Sequence, residues 1–235
     1  MKVEPRRPHR FDIAPYEAQQ IQRDLARQVV SEDDLGDIAT IAGIEIGHSR
    51  FDDRIQVAVA ILSHPDLVLI EQVVIEHRTK FPFVPDLLSF REVPAILQAL
   101  GELTRMPDLF LIDGPGLAHP KGLGVASHLG VVLDLPSIGC SKVNAVGSFV
   151  QPEVNAGSST SLVWQGEIIG TVFRSKNRVA PLFISSGHRI ARDTAARVVK
   201  DCCHGYRLPE PTRIASGLLS EAKQTAREAT AGVEN

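Results

Sequence analysis

The chain has 235 residues, with 25 Lys and Arg against 28 Asp and Glu, for a formal net charge of -3. That length suits one α/β domain with a substantial core, and the charge argues against a globally basic nucleic-acid binder while leaving room for a local basic stripe. Cys140, Cys202 and Cys203 have neither a pairing pattern nor zinc-ligand spacing, and they read as the free thiols of a reducing cytoplasm.

Residues 1–11 are basic and polar and predict a flexible arm; "MKVEPRRPHRFD" lacks the apolar stretch of a signal peptide. No run approaches the roughly 18 apolar residues of a membrane span. Residues 15–30 suit a helix with Tyr16, Ile21, Leu25 and Val29 near one face. Three strand-like runs follow at 39–47, 55–63 and 67–77, spaced as an antiparallel meander. A helix is predicted at 90–104 with Val93, Leu97 and Leu100 inward. The near-continuous apolar run at 107–113 marks a central strand covered on both faces. A helix over 121–133, short strands at 136–140, 161–164, 167–173 and 181–185, and a helix at 189–204 complete the pattern. Residues 216–235 read as a loosely held tail. The order predicts a single mixed-sheet α/β domain over 1–235.

Glu45 lies among isoleucines in "IAGIEIGHSR". A carboxylate there must face water or be held by a charge that offsets its desolvation. Asp113 ends the most apolar strand, just before the turn "GPG", where open α/β sheets place functional groups. Together the two acids are candidate ligands for a hard cation such as Mg²⁺ or Mn²⁺. Glu92 sits in the first turn of its helix, where the dipole favours an acid with or without a function. His188, in "SSGHRIARD", is either a surface loop residue or a functional one. His119 is weighed the same way, and its segment "HPKGLG" offers a lysine and backbone N–H groups to a phosphate. The loop "TKFPFVPDLLSF" either folds back on the core or presents a rigid apolar wedge to a stacked polymer. Three acids and a histidine on a mixed sheet fit metal-assisted phosphodiester hydrolysis best.

Over about residues 15–215 the chain resembles the endonuclease V family, inosine-directed nucleases with an RNase H-like fold: a mixed central sheet flanked by helices. The resemblance rests on "IAGIEIG", "FPFVPDLLSFRE", "PDLFLIDGPGLAHPKGLGVASHLG", "PSIGCSK", "PLFISSGHRIARDTA" and "GYRLPEPTR". It implies metal-binding carboxylates at Glu45 and Asp113, with Glu92 completing the acidic cluster and His188 near the attacking water. It also implies a wedge at Phe83 and a hypoxanthine pocket around Val84, Pro85, Asp86, Leu87 and Gly114. His119 would lie near the nucleic acid, and Lys142 near the acids and the DNA backbone. The implied activity of a cytoplasmic monomer is an Mg²⁺-dependent nick, with Mn²⁺ as substitute, at the second phosphodiester 3′ to deoxyinosine. The products are 3′-hydroxyl and 5′-phosphate ends. The chain departs from the family at Glu45 (aspartate), Phe83 (tyrosine), Asp86 (commonly glycine) and Pro115 (often histidine). One extra methylene moves the Glu45 carboxylate by roughly 1.5 Å, so reduced or Mn²⁺-biased activity is expected. An inosine-specific ribonuclease, or a lesion-binding relative that no longer cuts, are the alternatives.

Overall fold

A computed structural model describes residues 3–48 and 52–231. Eight strands form one sheet in the order β3-β2-β1-β4-β5-β8-β7-β6. β1 (Thr40–His48), β2 (Arg54–Ser63) and β3 (Leu69–Arg78) are the expected antiparallel meander. β4 (Leu109–Ile112) runs parallel to β1, and β5 (Ser137–Ser141) parallel to β4. β8 (Leu182–His188), β7 (Glu167–Phe173) and β6 (Ser159–Trp164) extend that side as an antiparallel set.

The alternation of side chains across a strand sorts the core into two layers. Ala42 and Ile44 of β1, with Phe110 and Ile112 of β4, pack under α2 (Ser89–Glu102) and α3 (Val125–Leu133). Val93 and Leu100 are buried there and Leu97 packs against them, so the predicted inward face holds. On the opposite face Ile41, Leu109 and Leu111 pack with Val198 and Val199 of α4 (Arg192–Asp201). Ala58, Ala60 and Leu62 of β2 meet Ala215 and Leu219 of α5 (Glu210–Ala231).

α5 comes close because β1 carries glycine on that face. A Cβ at Gly43 would lie 2.0 Å from the Pro211 carbonyl carbon, and one at Gly47 would lie 3.0 Å from Leu219 Cδ2. Glu45 lies between these glycines and shares their face, so α5 covers the strand where the carboxylate emerges.

Several expectations are corrected. The predicted tail is helical as far as Ala231, as the continuation of α5, and it is anchored near its start by Leu219, 3% exposed; residues 232–235 lie outside the described residues. A composition rich in Ala, Glu and Lys hides this, because the anchoring stripe is narrow. The described part of the N-terminal arm is docked as well. The Arg7 N–H donates to Val132 O at 3.1 Å, and His9 Nε2 lies 2.7 Å from His128 Nε2. α1 (Pro15–Ala26) ends earlier than expected, and α3 starts only at Val125 because residues 119–124 form turns. All three cysteines are free, and no helix of the described residues is long and apolar enough to cross a membrane.

If α5 is docked at its middle as seen, Leu219→Ala should lower stability by about 2–5 kcal/mol in urea unfolding, as buried leucine truncations do. A cost below about 0.5 kcal/mol would show that this part of the helix carries little packing.

Candidate active site

β1 and β4 run parallel, with Ile44 beside Ile112, and the Asp113 N–H donates to Ile44 O at 3.0 Å. One residue further on, Glu45 and Asp113 therefore stand side by side where two central strands end. Lys142, just past the end of β5, joins them. Its Nζ lies 2.8 Å from Glu45 Oε1 and 2.5 Å from Asp113 Oδ2. The charge that holds Glu45 among the isoleucines is thus a lysine of the same chain.

One ammonium does not neutralise the cluster. Burial and the neighbouring Asp113 carboxylate push Glu45 up to about 7, against the opposing pull of Lys142. Burial resists the charge on Lys142, yet the two carboxylates hold its pKa above the ordinary value. Glu92, in the first turn of α2, is 8% exposed, and its burial pushes it up to about 7, with Arg91 opposing and Asp113 adding. His48 Nδ1 lies 3.5 Å from Glu92 Oε1. Burial, Arg91 and Lys223 lower the His48 pKa, so this imidazole is neutral near pH 7 and adds no charge to the site.

The loop before α2 fulfils both of its readings at different residues. Phe81 and Leu87 are buried with Phe90 and Ala18 of α1. Arg91 fastens the loop, donating to Phe81 O at 2.6 Å and to Asp52 O at 2.9 Å. Phe83 stays half-buried, its ring 5.9 Å from that of His48. Asp86 is exposed, with a φ of 64°, a left-handed conformation that glycine adopts freely and aspartate tolerates better than most. Gln22 of α1 pins it there, donating to Asp86 O at 2.5 Å.

Between this loop and the turn after β4 lies a largely apolar cavity of about 380 Å³. Phe83, Pro85, Asp86, Asp113, Gly114 and His119 are among its walls, so most of the sequence-predicted pocket converges. Val84 and Leu87 turn away into the aromatic cluster. His119 is half-buried, and burial lowers its pKa, partly offset by the Asp86 carboxylate. Ser89, Leu123 and Val125 also line the cavity, and nothing in their local sequence marks them. His48 was also missed, since it is three residues from Glu45 and strand alternation assigns the two to opposite faces.

His188 does not join the acids. It is fully buried on β8, accepting from Val30 N at 3.2 Å through Nδ1 and meeting Asp134 Oδ1 at 3.2 Å through Nε2. It pairs with Ser137 at the start of β5, whereas Lys142 follows Ser141 at the other end. Four strand residues separate the two ends, roughly 13 Å. The glycine before it serves close packing, since a Cβ at Gly187 would lie 2.3 Å from Ser137 Oγ.

A model of the endonuclease V family matches residues 23–217. The chain belongs to the endonuclease V family. An endonuclease V of Dehalococcoides mccartyi is 45% identical over 221 residues, covering 94% of this chain and 99% of that protein. The crystal structure of endonuclease V from Streptomyces avermitilis superposes with a TM-score of 0.85 at 31% identity, over 97% of this chain and 100% of that one. A Ciona intestinalis endonuclease V, at 22% identity and a TM-score of 0.77, shares the fold over 91% of this chain and 100% of that one. That protein was solved in complex with a 23mer DNA containing an inosine followed by a ribo-adenosine. The family membership agrees with the mixed sheet, and the endonuclease V relatives mark the chain as a nuclease.

The residues fit a cation. Glu45 Oε2 is buried without a hydrogen-bond partner, one lysine serves both Glu45 and Asp113, and the Glu92 carboxyl is near enough to Asp113 for the two charges to repel. Among the described residues no three His, Cys, Asp or Glu side chains form a ready-made cage. The Glu45–Asp113 pair offers the hard oxygen donors that a divalent cation commonly takes together with substrate phosphates.

Glu92 binds its proton more tightly folded than unfolded, so its ionisation removes stability as pH rises from 4.5 towards about 7. Glu92→Gln lacks that loss. In EDTA its stability relative to the parent chain should grow by about 1–3 kcal/mol across this window. Taking the difference cancels the histidines, which push the other way. A difference that stays flat or shrinks would contradict the burial of an ionising Glu92.

Proposed function

We propose that the chain is a repair endonuclease that nicks DNA at the second phosphodiester bond 3′ to deoxyinosine. The observation that carries this reading is the adjacency of the Glu45–Asp113–Lys142 cluster to an apolar cavity bordered by Phe83. Phosphodiester chemistry and a place for an extruded base thus share one wall, Asp113. The cavity's volume lies in the range of small-ligand pockets. Inosine pairs weakly and costs less to flip than a normal base, which favours its selection.

Glu45 and Asp113 would hold the divalent cation, Mg²⁺ or Mn²⁺, with the Glu92 carboxylate close by. When bound, such an ion polarises the scissile phosphate and lowers the pKa of an attacking water. Lys142 is the mobile cation of the site: its ammonium gives up the carboxylates and turns to the phosphate backbone. Phe83 fills the gap left in the base stack, while Asp86 and His119 face the edge of the extruded base. Asp86 can accept from the N1–H of hypoxanthine, so a carboxylate is compatible with this base. The extra methylene of Glu45 shifts its carboxylate by roughly 1.5 Å relative to an aspartate, and a lower rate follows if the ion's geometry is strained.

An end-labelled duplex with a single deoxyinosine, in Mg²⁺ and in Mn²⁺, tests the reading. The expected labelled product ends at the lesion's 3′ neighbour, one nucleotide beyond the deoxyinosine, with a 3′-hydroxyl. Asp113→Asn should lower the rate at least about a hundredfold, since the ion's contribution is several kcal/mol. Binding without a cut in either ion would overturn the enzymatic reading in favour of a lesion binder. Faster cutting of a matched inosine-containing RNA would assign the chain to ribonucleases.

A further inference from the structure

A second cleft of about 400 Å³ lies beside the base cavity. His119 and Pro120 form a wall of both, whereas Glu92 and Asp113 border only the first. The acids, the base cavity, the His119–Pro120 ridge and the cleft therefore follow one another across the surface. Trp164, 38% exposed, and Ile168, 47% exposed, stand on the far wall at the β6–β7 hairpin. The hairpin's two-residue turn, Gln165 and Gly166, has φ values of 53° and 86°, the geometry that matches strand twist and keeps such a ribbon rigid. Arg192, the first residue of α4, is the charged group on the lining, and among the described residues no carboxylate lines the cleft. Its Nε is steadied at 2.9 Å by Asp193, whose side chain is 85% exposed.

An aromatic face, an arginine and a neutral wall are what a single nucleotide needs: a stacking surface for the base and a cation for the phosphate. The direction of the strand follows from the proposed nick, on which this step rests. If the scissile bond is 3′ to the inosine, the strand runs 3′-ward over the acids. The 5′ side must then leave the cavity on the other flank, over His119 and Pro120.

We propose that the Trp164–Arg192 cleft binds the nucleotide on the 5′ side of the inosine, with its base stacked on Trp164 and its phosphate on Arg192. The hairpin tip is then a working part of the interface and not merely an exposed apolar edge. The occupant is single-stranded nucleic acid, as befits a site continuous with an opened duplex.

Trp164 is the chain's one tryptophan, so its fluorescence reports the cleft alone. Two single strands are compared with the full chain in EDTA, where neither is cut. One begins at deoxyinosine and the other carries several more nucleotides on its 5′ side. The 5′-extended strand should quench Trp164 and bind about five- to tenfold tighter, from one added base–aromatic stack. In anisotropy measurements Trp164→Ala should erase that advantage while leaving the shorter strand's affinity unchanged, and Trp164→Phe should keep most of it. Equal affinities without quenching would overturn the cleft's role. So would a dimer in solution that Trp164→Ala dissociates, since a second copy would then occupy the cleft. If neither strand outcompetes an adenine-containing control, the failure lies in the inosine reading itself.

Discussion

The site depends on the ammonium of Lys142 held between the carboxylates of Glu45 and Asp113, at 2.8 and 2.5 Å. Two acids at the ends of adjacent parallel strands, covered by α5 and half removed from water, could not both stay ionised without such a partner. An internal ion pair of this kind adds little net stability, because desolvation offsets most of the attraction. Its value is to keep the two acids assembled until a stronger cation and a phosphate compete for the same groups. Lysine suits this better than arginine: a compact ammonium on a flexible stem exchanges partners, whereas a guanidinium fork would lock onto both acids.

The fold prepares this arrangement from both faces of the sheet. Gly43 and Gly47 admit α5 against β1 and so bury the strand around Glu45. On the other face, α2 brings Glu92 close enough to Asp113 for the two to repel, and Arg91 ties the Phe81–Leu88 loop to the same helix. Loop and acid are thus fixed to one helix. The glutamate at position 45 is compatible with this packing because its second oxygen, Oε2, still lacks a hydrogen-bond partner, an acceptor left open beside Asp113.

Much of this was legible in the residues. The meander, the buried β4 and the inward face of α2 follow from apolar periodicity alone, because each element buries one face or both. Asp113 was marked by its place at the end of the most apolar run. Glu45 was marked by its misfit among isoleucines, and the structure resolves that misfit with a lysine 97 residues away in the chain. Such a long-range partner has no local signature, and neither do the cavity walls Ser89, Leu123 and Val125, whose roles arise only from packing. His188 shows the opposite failure. A glycine-flanked histidine at a strand end looks exposed, yet Asp134 and Val30 N hold it in the core at the wrong end of β5. The N-terminal arm and the middle of α5 were misjudged for one reason: sparse anchors such as Phe11 and Leu219 are diluted by polar neighbours and become visible only against their docking surface.

The exchange of Lys142 for a metal ion is the centre of this picture, and a crystal soaked in Mn²⁺ addresses it directly through anomalous scattering. A single strong peak between Glu45 and Asp113, with the Lys142 ammonium swung away from both, is the predicted result. Lys142 still bridging the two acids, with manganese bound elsewhere or absent, would contradict it.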